Sequence, residues 1–133
     1  MKNTTSILSF LLLLLVGCSQ GDRNKDLENS IHTILADQSQ SEIRVNSLTN
    51  FEWEKAFLFT PYSSQNSIEQ QLGFYFKDSS NIEIRDDIYL MVFVNGSKVV
   101  QYVELDRRMG ELSLGEKDHL TPKKDFIRII RNR

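Results

Sequence analysis

Four carboxylates, Asp86, Asp87, Glu104 and Asp106, are the side chains of this chain best spaced for chemistry. Asp86 and Asp87 precede, and Glu104 and Asp106 end, two apolar runs joined by Asn95-Gly96, so a hairpin would carry all four to one end. Paired carboxylates in such a place suit general acid–base hydrolysis, or calcium. Arg85, Arg107 and Arg108 stand beside them in sequence and would neutralise them, so a solvated charged edge is the plainer reading. Nothing else competes. His32 and His119 lack ligand-like spacing to each other or to further ligands, and zinc sites need three or four such groups. No serine lies in a Gly-x-Ser-x-Gly setting, and a Gly-rich phosphate loop is missing. The sequence therefore predicts no catalytic residues, no metal and no cofactor. One thiol remains, Cys18.

Cys18 ends an apolar run, Ile7 to Val16, that Lys2 precedes and Gly17 closes. These are the three parts of an export signal. Leu15-Val16-Gly17-Cys18 resembles the lipobox of bacterial lipoproteins. That resemblance implies a diacylglyceryl group on the Cys18 sulfur through a thioether, cleavage before Cys18, and a mature protein that starts there. At about 0.8 kcal/mol per buried methylene, two or three acyl chains hold a protein stably at a bilayer. Ten helical residues rise only about 15 Å, half of a roughly 30 Å hydrocarbon core, which argues against a permanent span. A secretory signal cleaved without lipid is the alternative. Ser19 follows Cys18, where inner-membrane retention in enteric-type bacteria is associated with Asp. The resemblance thus implies the outer membrane of a Gram-negative envelope, or the outer face of the cell membrane in a Gram-positive one.

Removing residues 1–17 as signal peptide leaves 116 residues with formal charge −3, Lys2 being the only charge lost. Such mild acidity argues against nucleic acid, which needs a concentrated basic face. With Cys18 acylated no disulfide can form, and the domain must hold by packing alone. Residues 18–25 read as a lipidated tether and 26–133 as a single domain.

Leu27, Ile31, Ile34 and Leu35 mark one helical face over about 25–38, capped by Asn24 or Asp26. Ile43 and Val45 suggest a short strand. Trp53 to Thr60 reads as a central strand, apolar on both faces, that Pro61 ends. Ser63 or Ser64 then caps a short helix that Gly73 stops. Residues 74–84 form either two short strands or an irregular excursion, and Phe126 to Ile130 a last strand. These elements imply an α+β domain: an antiparallel sheet of four or five strands with two helices.

Asn95-Gly96 favours a type I′ turn between Ile88–Val94 and Lys98–Leu105. That register sets Ile88, Leu90 and Val92 on one face. Tyr89, Met91 and Phe93 join Tyr102 on the other, and Asp87 faces Glu104. The Tyr89, Met91, Phe93 and Tyr102 face is a candidate interaction surface, or else a second core. Basic residues gather near the C-terminus, Lys123, Lys124, Arg128, Arg131 and Arg133, where they block edge pairing or touch anionic headgroups. Phe51-Glu-Trp53-Glu-Lys55, Phe57-Leu-Phe59-Thr-Pro61-Tyr62, Leu72-Gly73 and the Val-Phe-Val-Asn-Gly run resemble, over about 48–105, a segment of small bacterial lipoproteins without assigned function. No site residue follows from that likeness. The sequence as a whole predicts a non-enzymatic envelope lipoprotein that meets a protein partner, as assembly accessory, inhibitor or immunity-type factor. An envelope enzyme using the hairpin-end carboxylates, and a ligand-binding module using the aromatic face, are the alternatives.

Overall fold

Asn24 starts the first helix because its side-chain oxygen accepts the Leu27 N–H at 2.9 Å, satisfying one of the donors that a helix start leaves open. The helix, α1, spans Lys25–Ala36 and buries Leu27, Ile31 and Leu35 on one side. The structure is a computed structural model describing residues 21–131. The expected signal, Cys18 and Arg133 lie outside the described residues.

The strands are β1 Asp22–Arg23, β2 Glu42–Arg44, β3 Lys55–Phe59, β4 Ile88–Asn95, β5 Lys98–Asp106, β6 Glu111–Ser113 and β7 Phe126–Ile130. A second helix, α2, spans Gln65–Leu72. Its start is capped by Ser64, which accepts the Ser67 N–H, and it ends at Gly73 in the left-handed region. The protein is an α+β domain with two helices, as the sequence predicts. The strands form two sheets where one was expected: a larger one ordered β1-β5-β4-β3 and a smaller one ordered β2-β7-β6. Three-residue strands such as β2 and β6 are too short to announce a separate sheet in sequence. Residues 74–84 form the irregular excursion, closed by a single 3₁₀ turn at Ile82–Ile84.

Two cores lie on opposite faces of the larger sheet. On one side α1 and the inner face of the smaller sheet pack with Tyr89, Met91, Phe93, Val103 and Leu105. On the other, α2 and the excursion set Ile68, Leu72, Phe76 and Ile82 against Ile88, Leu90, Val92 and Val94. β4 is therefore buried along both faces, which accounts for its unbroken apolar run. β3, expected to be central, lies at the sheet's outer position and is joined beyond it only by an Ala56–Leu120 bridge. Strand alternation over Trp53 to Thr60 would set Trp53 on the face of Phe57 and Phe59. Instead it joins the first core, edge-on to Phe93 at 5.4 Å, while the two phenylalanines enter the second.

The hairpin register also differs. Asn95 pairs with Lys98, so Gly96 and Ser97 form the turn, Gly96 with φ +57°. A bulge then leaves Val100 without a partner between the pairs Val94–Val99 and Phe93–Gln101. One extra residue inverts every side chain beyond it. Met91 consequently faces Val103, Val92 faces Tyr102 and Leu90 faces Glu104.

Candidate functional site

The expected aromatic face does not survive the bulge. Tyr89, Met91 and Phe93 are buried in the first core, the Tyr89 hydroxyl lying 3.4 Å from the Leu112 nitrogen. Tyr102 points to the opposite face. There it is half-buried, edge-on to Phe76 and bonded through its hydroxyl to Ser79 at 2.9 Å. These four residues form no single surface, which corrects the sequence expectation. Large apolar side chains on a sheet between two layers are core first.

The carboxylates do gather at the open end of the hairpin, but Asp87 and Glu104 are joined, not opposed. Arg85 holds Asp87 in a two-pronged pair, Nε to Oδ1 at 2.8 Å and Nη2 to Oδ2 at 2.9 Å. Its remaining arm, Nη1, reaches Glu104 Oε1 at 2.9 Å and the Ser80 carbonyl at 3.0 Å. Glu104 Oε2 is met from the other side by Arg23 of β1 at 3.1 Å, whose Nε binds the buried Glu28 of α1 at 2.8 Å. Glu28 also accepts the Glu104 N–H at 2.7 Å. Five charged groups thus form one chain from the excursion, across β5, to the helix.

Asp106 makes a similar two-pronged pair with Arg108, at 3.0 and 2.8 Å. Its own N–H is accepted by His32 Nε2 at 3.0 Å, which leaves the other ring nitrogen to carry the proton. His32 is therefore a structural acceptor with one face on β5. His119, the other histidine, lies against the Phe57 ring at 5.5 Å. Among the described residues no three histidine, acidic or cysteine groups converge as a metal site.

Electrostatics follow the pairing. The Arg85 hydrogen bonds hold the Asp87 carboxyl below the ordinary carboxylate range, and those of Arg108 do the same for Asp106. Ser39 hydrogen bonds lower Asp37 in the same direction. A general acid near neutral pH needs the reverse shift, upward through burial or a like charge. Asp86 is exposed, and among the described residues it forms no ion pair. It lines a cleft of about 610 Å³ together with Asp87, Arg107, Arg108, Met109 and Ile130. As arranged, this end holds the sheet, α1 and the excursion together.

Of the basic C-terminal residues described, Arg131 alone is drawn inward. Arg128 is exposed on the outer face of β7, and Lys123 and Lys124 occupy the turn before it. Arg131 turns inward, donating to the carbonyls of Leu35, Asp37, Gln40 and Met109 at 2.9–3.3 Å. Among the described residues, Lys124 and Arg128 line one cleft with Lys117 and Phe126, and Arg131 is withdrawn from it.

The corner after β3 carries a backbone feature that the Pro61-Tyr62 pair does not announce. Tyr62 has φ +64°, in the left-handed region that side chains beyond glycine seldom occupy, and is 62% exposed. Its N–H points to the Ile82 carbonyl at 3.0 Å and the Arg85 carbonyl at 3.2 Å, which fixes the strained backbone against the 3₁₀ turn. On that same turn Ile84 is 78% exposed. Pro61 was legible as the strand stop, but nothing in the letters marks Tyr62 for positive φ. Among the described residues no helix is long and apolar enough to cross a membrane. Comparison with known proteins adds no guide to a site: no family model, curated protein or solved structure matches the chain.

Proposed function

We propose that the protein is a lipoprotein held at the bacterial cell envelope by acyl chains on Cys18, and that its domain works by gripping another protein. The anchor rests on Leu15-Val16-Gly17-Cys18 and the apolar run before it. One observation carries the contact role: a strained, exposed Tyr62 fixed by its backbone to the turn that displays Ile84. Backbone strain of this kind, of order 1–3 kcal/mol, persists where the surroundings impose it and clusters at functional positions. The partner is a protein that seats an apolar side chain against this corner, and the domain serves as an assembly accessory, inhibitor or immunity-type factor. An envelope enzyme drawing on the hairpin-end carboxylates is the lesser reading, because Asp87, Glu104 and Asp106 are already ion-paired.

A photo-crosslinking residue at position 84, in cells making the acylated protein, tests the contact. A discrete adduct is expected from position 84, absent from the exposed control position 71 on α2, and lost when Tyr62→Asp is added to a protein that still folds. Equal adducts from both positions, or none, would overturn the reading.

A further inference from the structure

Gly21, the first described residue, is pinned at φ +73° against the bulge of β5. A Cβ there would come within 2.9 Å of both the Val99 side chain and the Val99 carbonyl. Asp22 and Arg23 then pair in parallel with Gln101 and Tyr102, and the Asn24 N–H donates to the Tyr102 carbonyl at 2.9 Å. Followed backwards, the chain runs toward the start of β5, where Asn95–Lys98 make the hairpin tip. The flexible tether expected over 18–25 therefore gives way to fixed structure by Gly21. Three residue steps separate Gly21 from Cys18, and such steps span at most about 10 Å.

We infer that the domain stands on the bilayer by the tip of the β4–β5 hairpin, with the Tyr62–Ile84 corner directed away from it. This inference rests on the lipid-anchor reading. Acyl chains on Cys18 place the headgroups within about 10 Å of Gly21, which itself packs against Val99. The six residue steps from Val100 to Asp106 carry the sheet about 20 Å further, at about 3.3 Å per residue. Both β3 and α1 also run from the tip end to the far end. Lys55 pairs with Val94 beside the tip, whereas Phe59 pairs with Leu90, two residues before Pro61-Tyr62. Along α1, Glu28 meets Glu104 and His32 meets Asp106.

Lying flat on α1 is disfavoured, because beyond Lys25 at its start the outward residues Asp26, Asn29, Ser30 and Thr33 carry no base to meet an anionic surface. At the tip end, Lys25, Lys55 and Lys98 are mixed with Asp22, Asp26, Glu52 and Glu54. That end rests on headgroups without a net basic attraction, and the acyl chains do the holding.

Acylation consumes the sole cysteine, so a cysteine introduced elsewhere takes a single fluorophore. Acylated Ser97→Cys and Arg108→Cys proteins are labelled and placed in phosphatidylethanolamine/phosphatidylglycerol vesicles containing a nickel-chelating lipid as headgroup quencher. Strong loss of emission at position 97, with little at 108, is expected. The contrast should collapse when Gly21→Val unzips β1 in a protein whose circular dichroism stays native. Equal quenching at the two positions, stronger quenching at 108, or a contrast unchanged by Gly21→Val would overturn this orientation. Mass spectrometry of the same samples separates the two levels. An unmodified Cys18 overturns the anchor and the orientation together, whereas acylated protein with equal quenching overturns the orientation alone.

Discussion

Two places at the far end of the larger sheet treat their side chains in opposite ways. In the chain Asp87–Arg85–Glu104–Arg23–Glu28, each charge is matched by a neighbour, and Glu104 has only 10% of its side chain exposed. At the Tyr62–Ile84 corner, a few residues away, strain is retained and apolar surface faces water. The richer-looking chemistry is self-satisfied and structural, while the barer corner is the one left open. A cluster of reactive residue types signals a site only when its groups are left wanting partners.

Substitutions should therefore act in opposite directions in the two places. The largest effect is expected for Glu104→Ala, which takes one partner each from Arg23 and Arg85 and leaves them Glu28 and Asp87. A loss of about 2 kcal/mol in urea unfolding is the expected outcome. No loss would mean that the chain of charges holds nothing.

Acid comes next. Asp37, Asp87 and Asp106 all titrate below their ordinary values in the fold. Their contribution to stability is fully present above the unfolded carboxylate value of about 3.9. It is lost as pH falls from there through the folded values, because the unfolded chain takes up protons first. These groups should leave stability level from pH 7 to about 5, and reduce it below about 4. Arg85→Met should flatten the part due to Asp87, as urea midpoints across pH would reveal.

At the corner the sign reverses. Tyr62→Gly should raise stability by about 0.5–1 kcal/mol, because glycine accepts positive φ freely, while weakening the crosslink from position 84. Ile84→Ser should change stability by less than about 0.5 kcal/mol, as exposed positions do, and still diminish an adduct read from a photo-crosslinking residue at the exposed neighbouring position 83. A destabilising Tyr62→Gly would make the corner a packing element.

Much of this fold was legible. The α1 face, the Asn24 and Ser64 caps, Gly73 as a stop and the β4–β5 hairpin all follow from local periodicity and capping, which short windows carry. What failed was non-local. The bulge at Val100 leaves no mark in the letters, because a valine there looks like any strand residue, yet it moves Tyr102 to the other face. Trp53 lies before β3 begins at Lys55, so strand alternation did not govern its direction. Arg23 was read as tether, and its two ion pairs reach Glu28 and Glu104, the second of which is distant in sequence. The carboxylate cluster was placed by the hairpin, and its pairing with Arg85 and Arg108 was legible from their neighbouring positions; the reach of Arg23 from β1 was not.

Arg131 has a consequence for the order of assembly. It fastens the carbonyls of Leu35, Asp37 and Gln40, residues that leave the ribosome more than ninety positions earlier. β2 likewise finds its sheet partner, among the described residues, in β7. A nascent chain truncated before β7 can neither dock the last turn of α1 nor close the smaller sheet. The smaller sheet therefore closes only by bringing together residues more than eighty positions apart.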